Sequence, residues 1–366
     1  MITLKKSITK KYIIPLLTIS ILTLTGCGNF IGSKENDTAS STQQNNQKKN
    51  TASYTKEVYA MDTYMTVTAY GENAQTAVEQ AESKIEELDN KLSVGKADSE
   101  VALLNNTGSG ELSEDVAYLM KRSLELWCQT DGTFNPAIYP VMEKWGFTTK
   151  DYKVPDKEDL LNTLALTDAS KISFNEGSGS VEFEIKEMKI DFGGIAKGYT
   201  SSLIMDIFRE NGIDSGLVSL GGNVQVLGNK TDGSLWRVAI QNPDNTEDYI
   251  GILETGDKAV ITSGGYERYF EENGKKYHHI IDPATEYPAE SGLKSVTIVS
   301  SDGTLADGLS TALFVMGEDK AVEYWRNNAE SFDMILFTED KRLLVTENIS
   351  DSFSSDLNIV NIEKED

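Results

Sequence analysis

The sequence predicts an α+β fold: a single large domain of mostly antiparallel sheet with flanking helices, after a signal peptide and a flexible tether. Two patterns point that way. Helical and strand spacings mix up to about residue 212, and beyond it short alternating segments bounded by turn residues dominate. Strand-rich sequence after mixed α/β argues for antiparallel sheet rather than a doubly wound parallel one. The third observation is bulk composition. The chain has 366 residues, 39% hydrophobic and 25% charged, a globular balance, and at this length roughly 75% of the unfolded surface can be buried.

In chain order, Lys5, Lys6, Lys10 and Lys11 precede an apolar run over residues 12–24. A basic stretch, a short apolar core and small residues before a cut describe a secretory signal over 1–26, and the run is short for the ~20 residues of a bilayer crossing. Leu24-Thr25-Gly26-Cys27 resembles the bacterial lipobox, which makes Cys27 the expected lipidation site of a protein anchored on the extracytoplasmic side of the cell membrane. Residues 27–54 are Asn, Gln, Ser, Thr and Lys with few large apolar groups and are expected to be a tether. The folded domain is expected over 55–350, with 351–366 a polar tail.

Residues 58–70 alternate and read as one strand. Ala74, Ala77, Val78, Ala81, Ile85, Leu88 and Leu92 form the apolar stripe of a helix. A second helix is expected over 114–129, with Cys128 buried in it, and strands at 171–174, 181–185 and 188–191. After Gly193-Gly194 a helix follows on Ile195, Tyr199, Leu203, Ile204, Ile207 and Phe208, stopped by Gly212. Eight strands are expected between 216 and 300, helices at 305–316 and 320–328, and strands at 334–337 and 343–345.

Counts exclude several chemistries. Lys and Arg number 34 against 58 Asp and Glu, for a net charge of −24, and nucleic acid is bound through basic patches. The 2 histidines, His278 and His279, are adjacent; neighbours on a strand point to opposite faces, so no multi-His zinc site can form. With 2 cysteines in all, any metal must be held mostly by oxygen, which favours Mg²⁺ or Ca²⁺.

Three constellations carry candidate chemistry. Asp191-Phe192-Gly193-Gly194-Ile195-Ala196-Lys197-Gly198 sets an acid, two glycines and a helix start in sequence. It has no Walker lysine, and it reads either as an anion-binding turn or as a tight strand–helix turn. His279 and Asp282 lie three apart before Pro283 and read either as an acid/base pair or as a surface His beside a turn-forming Asp-Pro. Asp307 and Thr311 are four apart, on one helix face, where they can hold a hard cation or serve only the helix's own backbone.

Together with Met61-Asp62-Thr63, Gly132-Thr133-Phe134-Asn135-Pro136, Ser219-Leu220-Gly221-Gly222-Asn223, Thr262-Ser263-Gly264, His278-His279-Ile280-Ile281-Asp282-Pro283 and Asp307-Gly308-Leu309-Ser310-Thr311-Ala312, the first constellation resembles the ApbE family of FAD:protein FMN transferases, over roughly residues 57–346. The resemblance implies Mg²⁺-dependent transfer of FMN from FAD to a Thr or Ser hydroxyl of an acceptor protein, with release of AMP. It implies a metal site of Gly194, Asp307 and Thr311, and FAD contacts at Met61, Thr133, Phe134, Asn135, Asp191, Lys197 and Ile281. His279 is then the expected base, oriented by Asp282. The chain departs from the family's usual residues at Asp62, Asn135, Glu286 and Gly308. Two rival readings are an FAD pyrophosphatase, in which water attacks, and a flavin-binding lipoprotein without turnover.

Overall fold

The computed structural model describes residues 52–365; the expected leader, Cys27 and the tether up to residue 51 lie outside the described residues. Among the described residues, nine strands form one sheet: β1 (Ser53–Ala60), β2 (Thr63–Tyr70), β3 (Ser215–Leu220), β4 (Asn223–Leu227), β5 (Ala259–Gly264), β6 (Leu293–Ser300), β7 (Asp333–Thr338), β8 (Leu343–Thr346) and β9 (Ile359–Ile362). They lie side by side in chain order. Each neighbouring pair from β1 to β8 is antiparallel, and β9 runs parallel to β8.

Strand periodicity sorts the side chains into two cores. On one face Val67, Ala69, Val218 and Leu220 pack beneath helices α1 (Ala74–Leu92) and α2 (Ala196–Glu210), and Val296, Ile298, Met334, Leu336 and Leu344 beneath α3 (Gly303–Met316) and α4 (Glu318–Asn328). On the other, Val260, Val299, Ile335, Phe337, Leu343 and Val345 meet Val238, Ile240, Ile250, Leu253 and Phe353 of a small second sheet (Trp236–Asn242, Asn245–Thr255, Phe353–Ser354). The α1 stripe is buried at each of the seven positions its spacing predicts.

The expected single strand over 58–70 is instead a hairpin, broken at Met61 (φ 49°) and Asp62 (φ 61°). Two successive residues with positive φ make the turn that matches strand twist, and Gly221-Gly222 repeats the device between β3 and β4 (φ 62° and 98°). Gly advertises such a turn; Met-Asp does not. Residues 188–191, expected as strand, pair with no strand. The amide of Asn105 takes the place of a neighbouring strand, accepting from Ile190 N–H (2.7 Å) and donating to its carbonyl (2.8 Å). Cys128 lies in the expected helix (Glu114–Gln129) but is exposed. The expected polar tail contributes Phe353–Ser354 and β9, which carry the buried Phe353 and Ile362. Three short helices, Glu100–Thr107, Tyr139–Trp145 and Lys157–Leu164, go unannounced by periodicity.

The site is positioned by a glycine crossing. A Cβ on Gly198 of α2 would stand 2.1 Å from the Gly303 carbonyl oxygen of α3, and one on Gly303 would stand 2.7 Å from the Gly198 carbonyl oxygen. Gly308 admits Leu126 in the same way, at 2.4 Å. Gly198→Ala therefore has to drive α2 from α3, because its obstacle is backbone. The expected loss is about 1–3 kcal/mol, typical of overpacking, read as a lower denaturant midpoint at unchanged m-value; an unchanged midpoint would refute the close packing.

Candidate active site

The turn before α2 is built from its neighbours. Phe192 is buried, Asp191 N–H donates to the Pro136 carbonyl (2.9 Å), and Gly193 N–H donates to Asp191 Oδ1 (2.8 Å). Gly194 lies under the buried Phe134 ring. A Cβ there would be 3.2 Å from Phe134 Cε2 and 3.6 Å from Thr311 Oγ1. The turn that begins α2 thus meets the middle of α3.

Asp307 is 4% exposed, and both of its oxygens are held. Oδ2 accepts from Gly198 N–H (2.8 Å), and Oδ1 accepts from Asn223 Nδ2 (2.9 Å) at the start of β4. Burial pushes its carboxyl above the usual range; the Lys197 charge and these hydrogen bonds pull it back. One turn on, Ser310 donates to the Asp307 carbonyl (2.8 Å), and Ser263 Oγ at the end of β5 lies 2.8 Å from Ser310 Oγ and 3.4 Å from Thr311 Oγ1. The carboxylate and the hydroxyls around it present only oxygen.

His279 approaches from the hairpin Tyr269–Glu272/Lys275–His278. Its N–H donates to the Arg268 carbonyl (3.1 Å), and its Nδ1 lies 3.2 Å from the same oxygen. A carbonyl only accepts, so Nδ1 carries the proton and Nε2 keeps its lone pair. Burial, then the charge of Arg268, lowers its pKa to about 3, so the imidazole is neutral at physiological pH. The Asp282 carboxylate does not orient it, contrary to the expected pairing. Its oxygens accept from Ala284 N–H (2.9 Å) and the Thr285 hydroxyl (3.1 Å) within their own turn.

Of the residues singled out in the sequence, Phe134, Asp191, Gly194, Lys197, His279, Asp307 and Thr311 gather around the start of α2. Met61 joins them: its N–H donates to Asp89 Oδ1 (2.9 Å), and its sulfur lies 3.9 Å from Thr200 Oγ1 on α2. The side chains of three others are engaged locally. Thr133 donates to the Thr130 carbonyl (2.9 Å), Asn135 bonds Ala137 N–H and the Thr167 carbonyl, and Ile281 sits in an apolar cluster with Trp145 and Phe147.

Four residues escaped sequence reasoning. Asn223 and Ser263 lie inside quoted motifs, so their places were marked but their roles were not. Nothing in the sequence marks Glu267 and Arg268, in the turn after β5. Burial of its carboxyl raises Glu267 to about 7, against the Lys197 charge, although the residue as a whole is exposed at the cleft mouth. A separate surface depression of about 450 Å³ against the Glu114–Gln129 helix contains none of these groups.

Sequence comparison matches this chain to the ApbE family over residues 61–336. It is 33% identical to an FAD:protein FMN transferase of Klebsiella pneumoniae (strain 342), over 72% of this chain and 82% of the relative. It is 32% identical to one of Treponema pallidum (strain Nichols), over 75% and 80%. The crystal structure of the ApbE protein of Thermotoga maritima superposes with a TM-score of 0.77 at 32% identity, covering 82% of this chain and 99% of that one.

One residue near the site is at odds with its surroundings. Glu286 is buried, has φ 59°, and leaves Oε1 without a partner, while its carbonyl accepts from Trp145 Nε1 (2.8 Å). Burial raises its pKa to about 7 from 4.5. The folded state therefore holds its proton more tightly than the unfolded state does. The stability this gives is complete below pH 4.5 and is lost as pH rises through about 7. Glu286→Gln is expected to flatten that part of the stability–pH curve, and Glu286→Gly to raise stability by about 1 kcal/mol or more by relieving the left-handed strain. Thermal melts from pH 4 to 8 check both, and parallel wild-type and Gln curves would refute the assignment.

Proposed function

This chain belongs to the ApbE family, and from that premise we propose that it is an FAD:protein FMN transferase, Mg²⁺-dependent, which moves FMN from FAD to a Thr or Ser hydroxyl of an acceptor protein and releases AMP. The observation that carries the reading is the buried Asp307 carboxylate, oriented by Gly198 and Asn223 and set with Thr311 and Gly194 near a neutral imidazole.

The donor chemistry fits a hard divalent ion. The Asp307 carboxylate supplies oxygen oriented by its hydrogen bonds, and Thr311 and the Gly194 carbonyl would add only oxygen. Among the described residues no three His, Cys, Asp or Glu side chains cluster as ligands, and Mg²⁺ is commonly completed by substrate phosphates and water. Gly194, Asp307 and Thr311 would hold the ion, which when bound neutralises charge on the phosphate oxygens.

The chain's own residues supply the rest. His279 Nε2 takes the proton of the acceptor hydroxyl as its oxygen bonds to the FMN-side phosphorus. The bridging P–O bond breaks, and its electrons leave on AMP. Lys197 faces the phosphates, and Phe134 covers a ring of the dinucleotide. Asp191 and Met61 line the cleft, while Thr133, Asn135 and Ile281 offer backbone groups. The leader and Cys27 support lipid anchoring and an extracytoplasmic acceptor; among the described residues no helix is long and apolar enough to cross a membrane.

The direct test incubates the purified protein with FAD, Mg²⁺ and a Thr-bearing acceptor, quantifies AMP and free FMN, and weighs the acceptor. AMP with an FMN-sized mass gain is the expected outcome. AMP with equal free FMN identifies a pyrophosphatase, and intact FAD a binder. Asp307→Asn keeps the volume and one acceptor for the two buried donors while removing the charge, and should abolish Mg²⁺-dependent AMP release. Asn223→Ala should lower metal affinity or activity by about 10–100-fold, as loss of a ligand-orienting partner does. His279→Ala should lower kcat by about 10²–10⁴-fold with little change in FAD affinity; full activity in Asp307→Asn removes the metal assignment.

A further inference from the structure

We infer that Arg268 is a second anion-binding cation of this site beside Lys197, and that the two together receive the pyrophosphate of the dinucleotide. The inference rests on the flavin-transfer reading for the identity of the ligand.

The chain contains six arginines and is acidic overall at −24. Five of them, Arg122, Arg209, Arg237, Arg326 and Arg342, form ion pairs with Asp or Glu. Arg268 forms none among the described residues, and neither does Lys197. Several lysines are likewise unpaired, but among the described residues Arg268 alone of the six arginines has no carboxylate partner, and that calls for an explanation.

The surroundings of Arg268 and Lys197 supply it. The Arg268 carbonyl holds both the N–H (3.1 Å) and Nδ1 (3.2 Å) of His279, so the backbone of Arg268 is fixed against the proposed base. The Arg268 charge acts on His279, Glu267 and Asp191, and the Lys197 charge acts on His279, Glu267 and Asp307. Two cations thus bear on the same imidazole from different elements, one from the first turn of α2 and one from the turn after β5. Glu267 lies within the field of both and pairs with neither. A positive pair held beside an uncharged imidazole suits a ligand that carries its own negative charge. A guanidinium adds the planar fork that meets two phosphate oxygens at once, which an ammonium cannot do.

The test compares wild type, Arg268→Gln and Arg268→Lys in the full-length protein without Mg²⁺, using three probes: FAD, ADP and riboflavin. ADP shares the pyrophosphate, and riboflavin carries no phosphate. Arg268→Gln should weaken FAD and ADP roughly tenfold or more, the scale of a charge-assisted hydrogen bond, and leave riboflavin unchanged. Arg268→Lys should recover part of the loss. Wild-type affinity of Arg268→Gln for FAD and ADP overturns the inference, and so does an equal loss for riboflavin, which marks a structural effect. The transferase reading fails separately, in the wild-type protein, when FAD binds and no AMP forms with or without acceptor.

Discussion

The crossing of α2 and α3 at Gly198 and Gly303 is the constraint on which the site depends. Two helices on one face of a sheet normally stand 8–10 Å apart, separated by side chains. Here two residues without Cβ bring the backbones into contact, so the first turn of α2 becomes a hydrogen-bond donor to a side chain of α3. The Gly198 amide is one of the N-terminal donors a helix leaves unsatisfied, and Asp307 accepts it at 2.8 Å. The carboxylate is drawn to the positive end of α2 and held there by Asn223 from the sheet. Separation of the two helices by one methyl group would break the first bond and leave a buried charge short of a partner, an expensive arrangement in a low-dielectric interior.

The chain-order sheet explains how distant segments come to share this cleft. Its antiparallel strands need only local connections, so the longer excursions are free to carry functional groups. The excursion between β2 and β3 delivers α1, the Phe134 loop, the Gly193-Gly194 turn and α2. The one between β5 and β6 delivers Arg268, His279 and Glu286, anchored by the aromatic cluster of Trp145, Phe147, Phe270 and Tyr277. Asn223 and Ser263 sit at strand ends, where the rigid sheet fixes their positions. The proposed base and the proposed metal ligands thus come from separate excursions and meet over the same strand ends.

Much of this was legible in the sequence, for identifiable reasons. Long amphipathic helices such as α1 bury a face that repeats at 3.6 residues, and the stripe survives translation into structure residue for residue. Asp307 and Thr311 share a helix face by spacing alone. What stayed hidden depended on partners the sequence does not place. The hairpin at Met61-Asp62 turns without a glycine, and is held by the Met61 N–H bond to Asp89 and by β2's pairing with β3. Residues 188–191 are patterned like a strand, but Ile190 bonds the Asn105 side chain and Asp191 N–H the Pro136 carbonyl. His279 and Asp282 are spaced as a pair, yet the imidazole takes a backbone carbonyl because the Asp282 carboxylate is consumed by the turn that Pro283 enforces.

Electrostatics gives the site its direction. With a net charge of −24, the protein as a whole repels an anionic dinucleotide, so attraction must be local, and on the proposed reading Lys197 and Arg268 would provide it. Burial first, and after it charges led by Arg268 and including Lys197, depress His279 to about 3, which makes the free imidazole a weak base. In the proposed complex a pyrophosphate beside Lys197 and Arg268 would offset the Coulombic part of that depression and favour the imidazolium that forms when a hydroxyl gives up its proton. On that reading the substrate would strengthen the base it meets, and proton abstraction from an acceptor, or from water, would be disfavoured until the phosphorus that is to receive the oxygen is in place.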